Sequence, residues 1–193
     1  MCGRYYIDDE TSKEIQKIIE ELDKKSSAPR IKTGEIYPTD DVPILVGKSN
    51  GIEPDVLKWG FPNYKGSGII INARAETASD KRMFGEHLLS RRCIVPASGF
   101  YEWNTNKEKI YFTPKEKSIL YMAGIFDREQ RFVIVTTDAN TSISDVHDRM
   151  PLLLRKEQIE PWVYDSMQMK EILKQTPYLL NRSSEFEQLR LNL

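Results

Sequence analysis

Cysteine is scarce in this chain of 193 residues, where only Cys2 and Cys93 are present. Two cysteines cannot build a disulfide framework, and together with the two histidines they lack the spacing of a zinc site. A glycine-rich phosphate loop and a dinucleotide-binding fingerprint are also missing. We therefore expect no metal, no cofactor and a reducing, cytoplasmic location.

The chain also lacks an excess of charge and a long apolar run. Its formal net charge is −1, so a polyanionic partner would have to be met by a local cluster of cations. No stretch approaches about 18 consecutive apolar residues, and the N-terminus has no apolar signal region. These absences predict neither insertion into a membrane nor secretion, and nothing in the sequence suggests an obligate dimer, so we expect a monomer.

The hydrophobic pattern predicts a single α+β domain over 1–193, with a curved, barrel-like, mostly antiparallel β-sheet flanked by a few helices. Short apolar runs alternate with turn residues and predict strands over 4–7, 42–46, 56–61, 69–71, 93–95, 110–112, 119–125 and 132–137. We expect the C-terminal ~30 residues to be peripheral. The tail from Asn181 onward is predicted to be only loosely attached.

Helices are predicted at four places. The first follows a capping box formed by Thr11 and Glu14, and its apolar residues recur with helical spacing. A middle helix over 79–91 would begin at Ser79, and two shorter helices are predicted over 156–164 and 167–174. The middle helix is expected to bury four side chains: Met83, Phe84, Leu88 and Leu89.

The N-terminus offers an unusual nucleophile. Cys2 directly follows Met1, so removal of Met1 would leave an α-amine and a thiol on adjacent carbons. Their reference pKa values are roughly 7.7–8.0 and about 8.5, so both groups are partly reactive near neutral pH. Such an aminothiol condenses with an aldehyde through an imine to a five-membered thiazolidine. The alternative is an ordinary buried cysteine.

Two further residues are candidates for proton transfer. Glu102 lies between Tyr101 and Trp103, where loss of hydration would raise its pKa and suit it to acid–base chemistry. His147 precedes a constrained Met-Pro turn and has an unperturbed pKa of about 6.5. The alternatives are an exposed glutamate on the outer face of a strand and a structural histidine.

Polar and aromatic residues at two predicted strand ends suggest contacts to nucleic acid. Asn72, Arg74 and Glu76 follow a run of three isoleucines, and Arg74 is suited to bind a phosphate. An exposed Trp59 would offer a stacking surface for an unpaired base. The alternative in both cases is a strand that ends in a turn.

The order of the motifs resembles that of the SRAP family, the SOS response-associated peptidase-like proteins that process abasic sites in DNA. The resemblance covers almost the full length, although the region after about Val163 adds little to it. It rests on MCGRY at 1–5, YPT at 37–39, WGF-P at 59–62, INARAET at 71–77, RRCIVPASGFYEW at 91–103, MAGIF at 122–126, TTDAN at 136–140 and HDRMP at 147–151.

The resemblance implies a covalent crosslink between Cys2 and an abasic site in single-stranded DNA, formed after the protein removes its own Met1. It implies that Asn72 orients the terminus and the sugar, that Glu102 moves protons, and that His147 stabilises the opened sugar and assists reversal. An enzyme of this kind would be both peptidase and lyase-like, and would associate with the nucleoid during DNA damage. The resemblance also implies a set of DNA contacts: Arg4, Trp59, Arg74 and Arg149.

Two other functions remain open from the sequence. A cysteine peptidase acting on other proteins would use Cys2 with His147 and Glu102, but would not need a free α-amine. A non-covalent single-strand binding module would use only Trp59 and the arginines, so loss of the Cys2 thiol would be almost silent.

Overall fold

The computed structural model describes residues 2–10, 12–24, 31–64, 66–116 and 118–184. The helices are α1 (Lys13–Asp23), α2 (Gly85–Ser90), α3 (Ile159–Tyr164) and α4 (Ser166–Ile172), with a 3-10 turn over Lys156–Gln158. The strands are β1 (Tyr5–Ile7), β2 (Gly34–Ile36), β3 (Asp41–Lys48), β4 (Gly51–Trp59), β5 (Phe61–Pro62), β6 (Ile69–Ile70), β7 (Asn72–Arg74), β8 (Arg92–Ala97), β9 (Gly99–Trp103), β10 (Lys109–Thr113), β11 (Leu120–Phe126), β12 (Arg131–Asp138), β13 (Arg149–Pro151), β14 (Leu153–Leu154) and β15 (Asn181–Ser184).

These strands form two main sheets and a short hairpin. The five-stranded sheet has the order β15-β10-β9-β1-β2, and the eight-stranded sheet has the order β13-β12-β4-β3-β8-β11-β14 with β7 beside β12. Because β11 also pairs with β12, strands β12, β4, β3, β8 and β11 close into a ring. Most pairings are antiparallel, but β4 and β7 run parallel to β12. The predicted α+β class with a mostly antiparallel sheet is confirmed.

The ring is covered on both faces, which strand β8 shows most directly. All six of its residues are buried. Cys93 and Val95 belong to the core that also contains Cys2 and Tyr5, whereas Ile94 points into the second core beneath α2, α3 and α4. Since side chains alternate along a strand, one strand supplies both cores. Cys2 therefore lies inside the first core.

The middle helix is shorter than predicted. It begins at Gly85 rather than near Ser79, with Phe84 as its N-cap, and Leu89 is 58% exposed. The preceding segment forms turns instead, such as Asp80 N–H to Thr77 O at 3.2 Å. A Cβ at Gly85 would lie 2.7 Å from the Ser79 carbonyl oxygen, so this close approach requires glycine.

The start of α1 is capped by Ser12, whose hydroxyl accepts from the Ile15 N–H at 3.4 Å. Thr11, which the sequence assigned to the capping box, lies outside the described residues. Ile15 and Leu22 are buried as the helical spacing predicts. The agreement between predicted and observed burial follows from local spacing alone, since an amphipathic helix needs only one apolar face.

The C-terminal segment is held more firmly than predicted. Asn140 donates through Nδ2 to the carbonyl oxygens of Pro177 and Tyr178, at 3.0 and 2.9 Å. Leu180 is buried, and β15 pairs with β10 in register from Asn181 to Ser184. The prediction of loose attachment from Asn181 is therefore wrong for Asn181–Ser184, because this segment supplies the edge strand of the five-stranded sheet. Within the ranges given above, no helix is long and apolar enough to cross a membrane.

Candidate functional site

Cys2 lies in the first core, three residues before β1 begins at Tyr5. Its side chain is fully buried, and its Sγ lies 3.8 Å from the Arg4 carbonyl oxygen. Asn72 at the start of β7 donates through Nδ2 to the Cys2 carbonyl oxygen at 3.0 Å. The two residues are 70 positions apart, so the tertiary fold brings the predicted nucleophile and its predicted orienting amide together.

Glu102 faces the same core from β9. Phe100 and Glu102 point inward, while Tyr101 and Trp103 lie on the outer face with partial exposure. Glu102 is 3% exposed, and burial raises its pKa, although a protonated His147 would act in the opposite direction. Burial and the neighbouring Glu102 carboxylate also raise the pKa of the Cys2 thiol. Glu102 therefore lies near both Cys2 and His147.

His147 is held by the turn that leads into β13. Its Nδ1 accepts from the Arg149 backbone N–H at 2.9 Å and also lies 2.8 Å from Asp148 Oδ1. These two contacts require opposite protonation of Nδ1, because a carboxylate bonds only to N–H. The Arg149 amide has a fixed place in a strand, whereas the Asp148 side chain is 81% exposed. We therefore assign Nδ1 as the acceptor in the neutral ring, which places the proton on Nε2.

Arg4 is flanked by two aromatic rings. Its guanidinium carbon lies 4.3 Å from the centre of the Tyr37 ring and 4.9 Å from that of Trp103. Its Nη1 also lies 3.3 Å from Glu35 Oε1, and Lys109 shares that oxygen at 2.5 Å. Partial burial acts to raise the pKa of Glu35, but the contacts with Lys109 and Arg4 outweigh it and lower that pKa. Two partly exposed rings therefore flank Arg4, which lies two residues after Cys2 and directly before β1.

A basic cleft opens next to Asn72. It has a volume of about 1220 Å³ and is bounded by the β5–β6 hairpin, the 81–87 segment and the β11–β12 turn. Arg91 and Arg128 on its wall are paired with Glu86, and Arg131 is paired with Asp127. The remaining cations are exposed, and within the described ranges none lies in an ion pair: Arg74, Lys81 and Arg82. The cleft therefore combines neutralised and unneutralised cations.

Trp59 does not provide the predicted stacking surface. It is fully buried at the end of β4, packs against Tyr5 and Phe132, and donates its indole N–H to the Ile71 carbonyl oxygen at 3.1 Å. Gly60 follows with φ +117, a backbone conformation that favours glycine. The Trp-Gly pair is therefore a strand end that turns the chain, and the base-stacking interpretation of Trp59 is corrected.

Arg149 makes its contacts within the protein. It is 7% exposed, and its guanidinium makes a bidentate pair with Glu76, with N–O distances of 2.9 and 2.8 Å. It also contacts Asp138 and donates to the Thr136 carbonyl oxygen. Its role as a phosphate contact stays a prediction.

Sequence reasoning missed several residues that the fold brings to this region. Tyr37 and Trp103 lie within the quoted YPT and YEW motifs but were not singled out as ring surfaces around Arg4. Lys81 and Arg82 lie in the segment predicted as a helix, and the two cations adjacent in sequence were the only signal. Among the described residues, no group of three or more histidine, cysteine, aspartate or glutamate side chains could hold a metal ion.

Comparisons with known proteins agree with this arrangement. The family model for SOS response associated peptidase (SRAP) matches residues 1–190. The abasic site processing protein YoqW of Bacillus subtilis is 32% identical over 183 residues, covering 84% of this chain and 80% of that protein. The abasic site processing protein YedK of Escherichia coli is 27% identical over 184 residues, covering 89% of this chain and 83% of YedK.

The fold is similar to that of a crystal structure of a protein from Bacteroides thetaiotaomicron. The two chains are 26% identical, with a TM-score of 0.72 and coverage of 95% of this chain and 91% of that one. The family model spans nearly the whole sequence. The chain belongs to the SOS response associated peptidase (SRAP) family.

Proposed function

We propose that this protein senses abasic sites in single-stranded DNA and links to them covalently through Cys2 after loss of Met1. The observation that carries the proposal is the burial of Glu102, with a raised pKa, beside the Cys2 thiol. A buried carboxyl group whose pKa is raised is suited to donate and accept the protons of a condensation reaction.

The reaction begins at the aldehyde of the ring-opened abasic sugar. The Cys2 α-amine attacks the aldehyde carbon, and the resulting carbinolamine loses one water molecule to give an imine. The thiol sulfur then adds to the imine carbon, and the thiol proton is transferred to the nitrogen. The product is a thiazolidine, and the net change is the release of one water molecule. Closure of the ring removes the imine, which would otherwise favour β-elimination and strand cleavage.

Glu102 and His147 serve different proton transfers in this scheme. Glu102 protonates the departing hydroxyl of the carbinolamine and then accepts a proton as the thiol adds. His147 donates from Nε2 to the hydroxyl of the opened sugar. Asn72 holds the Cys2 carbonyl, which fixes the direction of the nucleophile. Fixing the reacting groups in this way removes much of the entropic cost of a bimolecular reaction.

Removal of Met1 is the activating step. While Met1 is attached, the Cys2 nitrogen is an amide, and an amide nitrogen does not form an imine. We propose that the same pocket hydrolyses the Met1–Cys2 peptide bond, in keeping with the peptidase name of the family. Cys2 is then inert toward an aldehyde until the methionine has left.

The basic cleft is the proposed path of the DNA strand. Arg74, Lys81 and Arg82 are exposed at a cleft whose wall includes Asn72, so phosphates bound there would lead into the reaction centre. With Trp59 buried, Tyr37 and Trp103 beside Arg4 are the proposed surfaces for unpaired bases. Contacts to the DNA phosphates do not depend on the base sequence, and they weaken as the salt concentration increases.

The two other functions agree less well with the geometry. Nucleophilic cysteines of peptidases have a lowered pKa, whereas burial raises that of Cys2. A non-covalent binding module would have no use for a buried carboxyl and an amide arranged around the N-terminal residue. A free aminothiol with an adjacent acid–base group accounts for both features.

The proposal is tested by mixing the Met1-processed protein with single-stranded DNA that carries one abasic site. A denaturation-resistant adduct is expected, and DNA with a tetrahydrofuran analogue, which has no aldehyde, should give none. Cys2→Ser keeps the amine, so it should form only an imine that borohydride is needed to trap. Absence of the wild-type adduct at neutral pH, or a stable adduct from Cys2→Ser without reductant, would contradict the proposal.

A further inference from the structure

Arg149, which is buried, and Glu76, whose side chain is 43% exposed, form a bidentate link that the proposed chemistry does not yet use. The Arg149 guanidinium is 8% exposed and is held by both oxygens of Glu76, by Asp138 and by the Thr136 carbonyl oxygen. An exposed ion pair contributes little to stability, but a bidentate pair to a buried arginine fixes geometry as well as charge. The link is therefore suited to hold a neighbouring group in place.

The neighbouring group on one side is His147. The Arg149 backbone N–H donates to His147 Nδ1 at 2.9 Å, and Arg149 is paired with Asp138 in the β12–β13 ladder. The guanidinium and the ladder together determine where this amide points. Since the amide occupies the Nδ1 lone pair, it favours the neutral imidazole with its proton on Nε2.

The neighbouring group on the other side is Asn72. Strand β7 carries Asn72 and Arg74 and runs parallel to β12, with Thr136 opposite Arg74. The Ala75 N–H continues this pairing to the Thr136 carbonyl oxygen at 2.8 Å. Glu76 comes directly after Ala75. Its ion pair with Arg149 therefore links the end of β7, which carries Asn72, to β13, which follows His147.

We propose that Glu76 is a positioning residue for His147. Its ion pair with Arg149 fixes the backbone amide that selects the Nε2–H tautomer of His147, and it sets the spacing between His147 and Asn72. Without the ion pair, the Arg149 amide competes less well with the Asp148 carboxylate, which binds Nδ1 only when Nδ1 carries the proton. The tautomer is a property of the DNA-free protein, whereas the kinetic consequence rests on the proposed function.

The first test measures the imidazole nitrogens of His147 by NMR in protein labelled at histidine. The chain has two histidines, and His87→Gln identifies the signals of the other one. The wild-type neutral ring should be protonated at Nε2, and Glu76→Gln should shift it toward a mixture with the Nδ1–H form. Arg149→Lys, which keeps the charge but loses the bidentate geometry, should give the same shift and serves if Glu76→Gln does not fold.

The matched control is Glu171→Gln, the same chemical change in an exposed i,i+3 pair with Lys174 on α4. It should leave the His147 signals as they are in the wild type. An unchanged Nε2–H tautomer in both Glu76→Gln and Arg149→Lys would overturn the proposal. So would an equal shift in Glu171→Gln.

The second test separates reaction from binding. Glu76→Gln should slow adduct formation with abasic DNA roughly tenfold to hundredfold, the loss expected when a reacting group is misplaced. Its affinity for DNA carrying the tetrahydrofuran analogue should stay at the wild-type value, and Glu76→Asp should recover part of the rate. Equal loss of binding and reaction would assign the pair to DNA binding and overturn the proposal. If the wild type forms no adduct, the proposed function fails while the tautomer measurement still decides the role of Glu76.

Discussion

The reaction centre and the basic cleft beside it differ in how their charged groups are satisfied. In the centre, Glu102 is removed from water and the Arg149 charge is neutralised by Glu76 within the protein. In the cleft, Arg74 and its neighbours Lys81 and Arg82 remain exposed. Burial changes the protonation of a group, while exposure keeps a cation ready for a mobile polyanion. One region is therefore suited to chemistry and the other to binding.

The two arginines at strand ends make this contrast most clearly. Arg74 and Arg149 lie near each other across β12 and look equivalent in the sequence, yet Arg74 faces the cleft and Arg149 faces the protein. The difference comes from the carboxylates of Glu76 and Asp138, which both pair with Arg149. Two acidic side chains thus hold Arg149 within the protein, while Arg74 stays exposed at the cleft.

The largest expected effect is on the reaction. Glu102→Gln keeps the shape of the side chain but cannot take or give a proton, so adduct formation should slow by about 10²–10⁴-fold, the usual contribution of general acid–base catalysis. Single-turnover gels with abasic DNA would measure the rate. Affinity for the tetrahydrofuran analogue should remain unchanged, and a parallel fall in that affinity would mean that the two regions are not separable.

A second effect concerns the folded state. Trp59→Phe removes the indole N–H, while the Ile71 carbonyl oxygen still accepts from the Ile134 N–H. The lost hydrogen bond should cost about 0.5–1.5 kcal/mol of unfolding free energy, to which the cavity left by the smaller ring adds. Urea denaturation would give that value. Because Trp59 is buried, affinity for single-stranded DNA should not change, and a marked loss of affinity at unchanged stability would restore the stacking interpretation.

A smaller effect is expected in the cleft. Arg74→Ala should weaken single-strand binding severalfold and lower the slope of log affinity against log salt by about 0.7, the value for one phosphate contact. Fluorescence anisotropy over a salt series would measure both. Arg128→Ala is the matched control, because Glu86 already neutralises Arg128, so its slope should change less. Equal changes would show that ion pairing in the cleft does not determine availability.

The smallest effect is the pH dependence of stability. Burial raises the pKa of Glu102, so its stabilising contribution is complete below the unfolded pKa and is lost as pH rises through the folded pKa. Glu102→Gln has no such dependence. In urea titrations of both proteins, the unfolding free energy of the wild type should therefore fall relative to that of Glu102→Gln as pH rises from about 4, near the unfolded pKa, through the folded pKa. A difference that shrinks as pH rises would mean that the carboxylate is favourably solvated.

Patterns that depend on local spacing were predictable. The apolar stripe of α1 follows from side-chain geometry within one element, and its buried Ile15 and Leu22 agree with the structure. Strand β9 was not among the predicted strands, and the alternative of an exposed Glu102 on the outer face of a strand is wrong. The same reasoning failed at the middle helix, where Gly85 packs on the Ser79 carbonyl and turns replace the first half of the predicted helix. It failed again at Asn181–Ser184, because only β10 provides the partner of this polar strand.

The sequence alone determined the covalent chemistry proposed for the N-terminus, since loss of Met1 would leave an amine and a thiol on adjacent carbons of Cys2. The tertiary structure decided the rest of the candidate site. Whether Glu102 is buried, whether Trp59 is exposed and which arginine is free depend on residues tens of positions away. Hydration and ion pairing act through space, so they set the charge of each group only once the chain has folded.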